Sequence, residues 1–301
     1  MRGVVGAVLA LLCLCRPAAA QSEAAPPPSR FDVPGPLFSG KLPLTGGVAS
    51  LEGSAGGGLT PWALIGGQGT RDQIGGYGFA TLVRSQDYEL RVAGATVGLW
   101  DRVELSVAQQ AFDTRNVGAA LGLGRGFTFH QTVLGAKVRL AGDAVLEQDR
   151  WLPQLAVGLQ FKDNDRAGVL RAIGARDDTG VDVYASATKL FLAQSLLLSG
   201  TVRLTKANEL GILGFGGVDD RYEPQFEGSA ALLLTRRLAV GAEYRMKPDN
   251  LAIVDEDDWA DLFLAWSPNK NVTVTLAYAR LGTVAIERGQ RGLYLSLQLG
   301  L

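Results

Sequence analysis

Few side chains in this sequence are of types that carry out covalent or acid–base chemistry. Its 301 residues include one histidine, His130, and two cysteines, Cys13 and Cys15. A single imidazole excludes metal sites that need paired histidines, and both thiols fall in a segment that we expect to be removed. His130 lies on the same predicted strand face as Leu134, which faces outward, so it is expected at a rim rather than beside a nucleophile. We therefore expect no catalytic residues and no cofactor.

Two further stretches could hold an ion or a nucleotide. Residues 255–258 are four consecutive carboxylates, which could bind Ca²⁺, but they lack the spaced ligand pattern of a calcium loop. The glycines at 122, 124 and 126 have no strand–helix context of a phosphate-binding loop. We expect solvated loops at both places and no metal site. A net charge of −1 gives no support for binding nucleic acid.

Charged residues placed at alternate positions of apolar segments are more informative. Lys137 and Arg139, for example, alternate with Ala136, Val138 and Leu140. Successive strand side chains point to opposite faces, so such charges would share one face of a sheet. Mixed charges on that face favour either a weakly selective polar channel or a network of internal ion pairs. The candidate charges are Glu104, Lys137, Arg139, Lys162, Arg203, Glu227, Glu243, Arg245 and Asp261. Arg91 is predicted to share their face.

The elements that must position these charges are β-strands. In the last segment Leu293, Leu295 and Leu297 alternate with Tyr294 and Ser296, which makes one face aliphatic. A helix would spread these leucines around its whole circumference. The same alternation recurs within residues 272–279, 238–247, 226–234, 196–205, 154–162, 134–140 and 103–108.

The connections between these strands alternate in length. Short ones are predicted at 101–102, 194–195, 235–237 and 268–271, and long ones at 112–128, 164–180, 207–222, 248–258 and 282–290. This asymmetry is typical of an outer-membrane barrel. Further strands are predicted near 46–55, 61–69, 75–84 and 88–99. The sum is about fourteen strands with both termini in the periplasm, or twelve if residues 40–70 form a plug or a tail.

The polarity of the faces favours a membrane barrel over a periplasmic sandwich. One face is aliphatic on nearly every strand, while the other carries the charges and small residues, as expected for lipid outside and a polar lumen inside. Aromatic residues near strand ends are predicted to form interfacial girdles. They are Trp62, Tyr88, Trp100, Trp151, Tyr222, Trp259 and Trp266.

The two ends of the chain agree with export. Residues 1–20 have a basic start, an apolar run and an Ala-x-Ala end, which predicts a secretory signal peptide. Residues 21–39 form a proline-rich leader, and residues 40–301 form the barrel. The last strand ends on an apolar residue, Leu301, and is predicted to be recognised by the outer-membrane assembly machinery. Lipid and lipopolysaccharide are the expected surroundings in the bacterial outer membrane.

Five stretches carry a family resemblance. They are GKLPLTGG at 40–47, GGGLTPWALIGG at 56–67, GAALGLGRGF at 118–127, AKVRLAGDA at 136–144 and WLPQLAVGLQFK at 151–162. Together they resemble a proteobacterial family of exported proteins known as domain of unknown function 3034. The resemblance implies a protein of the Gram-negative envelope and supplies no catalytic residues.

Two functions remain open at this point. The first is a channel or facilitator that passes small solutes through a polar lumen. The alternative is a non-conducting structural or ligand-binding barrel that acts through its external loops. An enzyme is not expected, because the sequence lacks a nucleophile–base arrangement.

Overall fold

Twelve antiparallel strands pair in sequence order and close into a barrel in the computed structural model, which describes residues 40–251 and 256–300. A two-stranded hairpin, β1 (Val48–Ala49) and β2 (Ala55–Gly56), precedes the barrel. The wall strands are β3 (Ile74–Ser85), β4 (Glu89–Leu99), β5 (Val103–Asp113), β6 (Thr128–Ala141), β7 (Gln154–Asn164), β8 (Thr179–Phe191), β9 (Leu196–Thr205), β10 (Glu223–Thr235), β11 (Leu238–Arg245), β12 (Trp259–Asn269), β13 (Val272–Val284) and β14 (Glu287–Gly300). The predicted signal peptide, the leader and Leu301 lie outside the described residues.

The barrel closes where β14 pairs with β3, with Leu295 opposite Leu82 and Ser296 opposite Thr81. The antiparallel barrel class is confirmed, and its strand count is the alternative of twelve rather than fourteen. Residues 46–55 and 61–69 do not enter the wall. Nine glycines lie within residues 46–69, and glycine weakens a strand because it loses more backbone freedom and offers no side chain to pack.

The two ends of the barrel differ in their connections, as predicted. One end has the connections 100–102, 192–195, 236–237 and 270–271, together with residues 40 and 300. The opposite end has 114–127, 165–178, 206–222 and 246–258, which include the short helices α1 (Val117–Ala120) and α2 (Ala167–Ala172). By the usual arrangement of such barrels, we name the first the periplasmic end and the second the outer end.

Two connections depart from the predicted alternation. The connection 142–153 is long although it lies at the periplasmic end. The predicted long loop at 282–290 is instead a tight turn at 285–286, because β13 and β14 remain paired as far as Val284 and Glu287. Register shifts after Arg280 and Gly282 accommodate this extension.

The exterior of the wall is aliphatic. Leu293, Leu295 and Leu297 on β14 are 68%, 46% and 43% exposed, whereas Tyr294 and Ser296 between them are buried. A closed barrel leaves no strand edge unpaired and turns an apolar surface outward, which is the form of a protein that spans the bacterial outer membrane. Within the described ranges, no helix has the length and apolar character needed to cross a membrane.

The aromatic girdle is smaller than predicted. Trp100, Trp151, Tyr222 and Trp266 are exposed and can reach the membrane interface. Three of the predicted members face the interior instead, because their positions have the opposite parity or lie inside the barrel. These buried residues are Trp62, Tyr88 and Trp259.

The interior of the barrel is filled from both ends. From the periplasmic end, residues 44–68, which we call the plug, run inside the wall, and all of them are buried except the half-buried Thr45. From the outer end, residues 206–218, which we call the cap, fold inward and bury Leu210, Ile212 and Phe215. The cavity between plug and cap is only about 30 Å³, with room for about two water molecules.

Candidate functional site

The wall binds the plug mainly through the plug's own backbone. Glu243 on β11 accepts hydrogen bonds from the N–H groups of Leu59 and Thr60, at 2.7 and 3.2 Å, and from the Thr60 hydroxyl at 2.5 Å. A buried N–H group without a hydrogen-bond partner is costly. The single carboxylate of Glu243 provides partners for two such groups of the plug. The Gln298 and Tyr294 side chains of β14 bind the N–H and carbonyl of Ala49 in the same manner.

A buried ion pair on the opposite side of the wall binds the other strand of the plug. Lys137 Nζ lies 3.0 Å from Glu104 Oε1, and both side chains are 1% exposed. Glu104 accepts the N–H groups of Ala55 at 3.1 Å and Gly66 at 2.7 Å. Lys137 donates to the carbonyls of Ala55 and Trp62. The pair therefore forms hydrogen bonds with both N–H donors and carbonyl acceptors of the plug backbone.

Close approach explains why glycine occurs at two contact points. A Cβ at Gly57 would overlap the carboxylate of Glu243, and a Cβ at Gly98 on β4 would overlap the carbonyl of Gly66. Glycine at these sites lets the plug backbone reach the wall directly.

Glu52, the plug's single charged residue, sits in an ionic cluster. Its carboxylate lies 2.5 Å from Lys162 Nζ, 2.6 Å from an Arg245 nitrogen and 3.3 Å from an Arg203 nitrogen. Two wall carboxylates complete the cluster. Asp182 lies 2.6 Å from Lys162, and Glu227 lies 2.5 Å from Arg203.

The cluster is electrically balanced only when the plug is present. It contains three cations, on β7, β9 and β11, and three carboxylates, of which Glu52 alone comes from the plug. All six side chains are at most 4% exposed. Buried charges are tolerated when they are paired and hydrogen-bonded. Without Glu52 the wall would carry one uncompensated positive charge.

A second group of charges holds the cap. Lys247, just beyond β11, lies 2.8 Å from Glu209 in the cap and 3.6 Å from Glu256 in the loop 246–258. The Glu209 N–H also lies 3.2 Å from both oxygens of Glu256. Burial raises the pKa of Glu209, and burial together with the charge of Glu209 raises the pKa of Glu256 to about 8. Two carboxyls thus share one ammonium group and hold a proton near neutral pH.

The acidic run does not form a joint site in its described part. Glu256 contacts Lys247, Asp257 accepts from the N–H and hydroxyl of Thr283 at 2.7 Å each, and Asp258 accepts from the Lys247 N–H. Asp255 lies outside the described residues. Among residues 40–251 and 256–300, no three acidic or histidine side chains are grouped as a metal site would need.

His130 lies on the outside of the wall near the outer end. Its Nδ1 is 3.2 Å from Asp165 Oδ2, and its side chain is 52% exposed. At this distance and exposure, the two side chains form a weak surface ion pair when the histidine is protonated.

The structure brings eight of the nine candidate charges together around the plug or its cluster. Glu104, Lys137 and Glu243 bind the plug backbone, and Asp261 is the cross-strand neighbour of Glu243. Arg139 lies apart, at the periplasmic mouth, where it pairs with Asp101 and with Asp143 at 3.1 Å. The remaining four belong to the ionic cluster, and they are Lys162, Arg203, Glu227 and Arg245.

Three placements were not predicted. Arg91 faces outward and pairs with Glu89, because Leu90 and Val92 take the inward positions of β4. Glu52 escaped notice because it lies in a stretch interpreted as wall. Asp182 was also missed, although its alternation with Val181 and Val183 could have placed it inside.

Comparisons with known proteins gave one family match and several alignments to solved structures. A search of curated proteins found no match. Among solved structures, a KdgM porin aligns with a TM-score of 0.48 and 9% identity, over 74% of this chain and 98% of that one. The NanC porin aligns with a TM-score of 0.48 and 7% identity, over 75% and 100%. Acinetobacter baumannii Omp33 aligns with a TM-score of 0.45 and 10% identity, over 75% and 97%. A family model described as "Protein of unknown function (DUF3034)" matches residues 45–298, and the chain belongs to this family.

Proposed function

We propose that this protein is a plugged outer-membrane channel, which passes small polar solutes when the plug leaves the lumen. The observation that carries the proposal is the polar and ionic character of the wall beneath the plug. An apolar interior of similar volume would be as stable as buried ion pairs, or more stable. A wall that is exposed to water in a second state must instead be polar.

The attachment of the plug to the barrel supports the same function. The plug pairs only with itself, through β1 and β2 and a bridge between Gly56 and Pro61. It contributes no strand to the wall, and the short segment 69–73 links it to β3. Its departure would therefore break side-chain contacts but no pairing of the barrel.

The charge of the emptied lumen indicates what could pass. Ten buried charged side chains face inward from the strands, five of them cationic and five anionic. Interspersed charges of both signs favour a weakly selective passage for small polar solutes. The cations are Lys137, Arg139, Lys162, Arg203 and Arg245, and the anions are Glu104, Asp182, Glu227, Glu243 and Asp261.

The alternative is a non-conducting barrel that acts through its outer loops. The cap favours it, because residues 206–218 fold into the outer end, where wall side chains bind the carbonyls of Leu210 and Ile212. In either function we propose no catalytic role, since His130 pairs with an exposed carboxylate on the lipid side. Contact with lipopolysaccharide and recognition of the last strand by assembly machinery also remain proposals.

Single-channel recording of refolded residues 21–301 separates the two functions. The intact chain should be silent or open rarely, and deletion of residues 44–68 should give long-lived conducting steps. Deletion of the exposed loop tip 120–124 is the matched control and should leave the record unchanged. A plugless barrel that shows folded, heat-modifiable migration on gels yet does not conduct would refute the channel and favour the loop-binding alternative.

A further inference from the structure

The long connection 142–153 is held by several hydrogen bonds at the periplasmic end of the barrel. Asp143 Oδ1 accepts the N–H groups of Val145 and Leu146 at 2.9 and 2.8 Å. Lys189 donates from β8 to two carbonyls of the connection, at 2.5 and 2.8 Å. Burial raises the pKa of Asp143, but these N–H groups and Arg139 outweigh burial and hold the pKa below its ordinary value. The connection nevertheless leaves Leu146 78% exposed.

A cavity of about 500 Å³ lies between this connection and the neighbouring turn 100–102. Trp100 and Leu140 line it and are also 55% and 54% exposed on the lipid-facing exterior. The cavity thus opens where the aliphatic wall ends. Tryptophan favours this level of a bilayer, between acyl chains and water.

Two of the three arginines that line the cavity, Arg71 and Arg102, have no carboxylate of their own among the described residues. Arg102 donates to the carbonyls of Arg139 and Leu140 at 3.1 and 3.2 Å, and no carboxylate in the described part of the chain lies within 4.0 Å of it. Arg71 is 69% exposed and only 3.4 Å from Asp143, which already pairs with Arg139. Two guanidinium groups therefore remain able to bind a phosphate, which arginine binds through paired N–H donors.

Two carboxylates line the same cavity, and since Asp101 already pairs with Lys41 and Arg139, Glu147 is the acceptor that it offers. Glu147 lines it, and its Oε2 is buried without a hydrogen-bond partner. Its other oxygen is 4.0 Å from Arg150, which is 72% exposed. A buried carboxylate oxygen without a donor is costly, so a ligand that brings an N–H donor would satisfy it.

We propose that this cavity binds the headgroup of an aminophospholipid, phosphatidylethanolamine, from the periplasmic leaflet. Arg102 and Arg71 bind its phosphate, Glu147 accepts hydrogen bonds from its ammonium group, and its acyl chains follow Trp100 and Leu140 along the wall. The ligand needs both charges, because the cavity presents both. A lipid without an N–H donor, phosphatidylcholine, leaves Glu147 unsatisfied, and phosphatidylglycerol lacks the cation.

Lipid retention measured by native mass spectrometry tests this site. Folded residues 21–301 are equilibrated with equal amounts of the three lipids, all with the same acyl chains, and then delipidated. The wild type should retain phosphatidylethanolamine over phosphatidylcholine by roughly three- to tenfold, the range of one charge-assisted hydrogen bond at a partly exposed site. Glu147→Gln should abolish this preference, and Arg102→Gln should lower retention of all three lipids.

Arg237→Gln is the matched control, because Arg237 is exposed in the turn 236–237 at the same end. It should behave as the wild type. Equal retention of the three lipids by the wild type would overturn the proposal, as would preferential retention of phosphatidylglycerol. A loss in Arg237→Gln equal to that in Arg102→Gln would also overturn it, since general surface charge would then explain retention.

Discussion

Replacing Glu52 with glutamine tests what holds the plug in the lumen. The glutamine keeps the size of the side chain but removes the negative charge from a carboxylate in contact with Lys162, Arg203 and Arg245. The cluster then has three cations and two carboxylates, all buried. Its net charge is relieved only when the plug leaves and water enters.

The size of the effect follows from the burial of these partners. Breaking a buried ion pair by removing one partner costs about 3–5 kcal/mol, mostly because a charge stays buried and unpaired. That cost falls on the plugged state alone, since in the open state water solvates the cations. The open population should therefore rise roughly a hundredfold to a few thousandfold, at about 1.4 kcal/mol per factor of ten.

A thiol inside the plug reports this population. The chain has no cysteine after residue 15, and Ser54 is 2% exposed, so Ser54→Cys in refolded residues 21–301 reacts with a water-soluble maleimide only when the plug is released. Labelling of Ser54→Cys should be slow when residue 52 is the native glutamate. Adding Glu52→Gln should raise the labelling rate by the same factor as the open population. The rate of conducting steps should rise in parallel.

Asp182→Asn is the matched control for this experiment. It removes one carboxylate from the same cluster, but its partners Lys162 and Arg203 both lie on the wall. It should lower the stability of the barrel without releasing the plug selectively. If Glu52→Gln labels at the parental rate, or if Asp182→Asn accelerates labelling equally, the ionic cluster does not hold the plug.

Three further predictions concern the cap, the plug contact and the lumen. Because the folded state raises the pKa of Glu256 to about 8, the cap is held most firmly at low pH, and the contribution of this carboxyl falls as pH rises toward that value; the protection factors of the cap amides, which correct for the base-catalysed rise in intrinsic exchange, should fall between about pH 6 and 8 and level off above it, and Glu256→Gln should remove this fall. Gly57→Val places a side chain against the Glu243 carboxylate, at a cost of about 1–3 kcal/mol for overpacking, and should increase conducting steps; unchanged recordings would contradict the close contact. In the plugless barrel, Lys137→Gln should shift the reversal potential toward cation selectivity, and no shift would exclude Lys137 from the conducting path.

The wall of the barrel could be predicted because its signal is local. Alternate residues of a strand share one face. Leu293, Leu295 and Leu297 therefore all face lipid, and Tyr294 and Ser296 between them face the interior. The same repeat predicts that the candidate charges, such as Lys137 and Glu243, face the interior. At β4 both faces carry apolar residues, so the repeat alone does not show that Leu90 and Val92 face the interior and Arg91 the exterior.

The plug could not be separated from wall strands by sequence pattern. Residues 46–69 have the length and spacing of two strands, and burial inside a lumen permits the same small apolar residues that a crowded wall permits. What distinguishes the plug is its set of partners, which are wall side chains distant in the sequence. Glu52, for example, meets Arg245, 193 residues away, and no local pattern encodes that contact.

The contacts of Ala49 link the plug to the assembly of the barrel. Its N–H and carbonyl bind Gln298 and Tyr294, 249 and 245 residues away, and both partners lie on β14, the strand that closes the seam with β3. These bonds join a segment near the start of the described chain to its last strand. A chain whose seam is still open has not completed these bonds. Closing the barrel between β14 and β3 therefore also places the two side chains that hold the plug at Ala49.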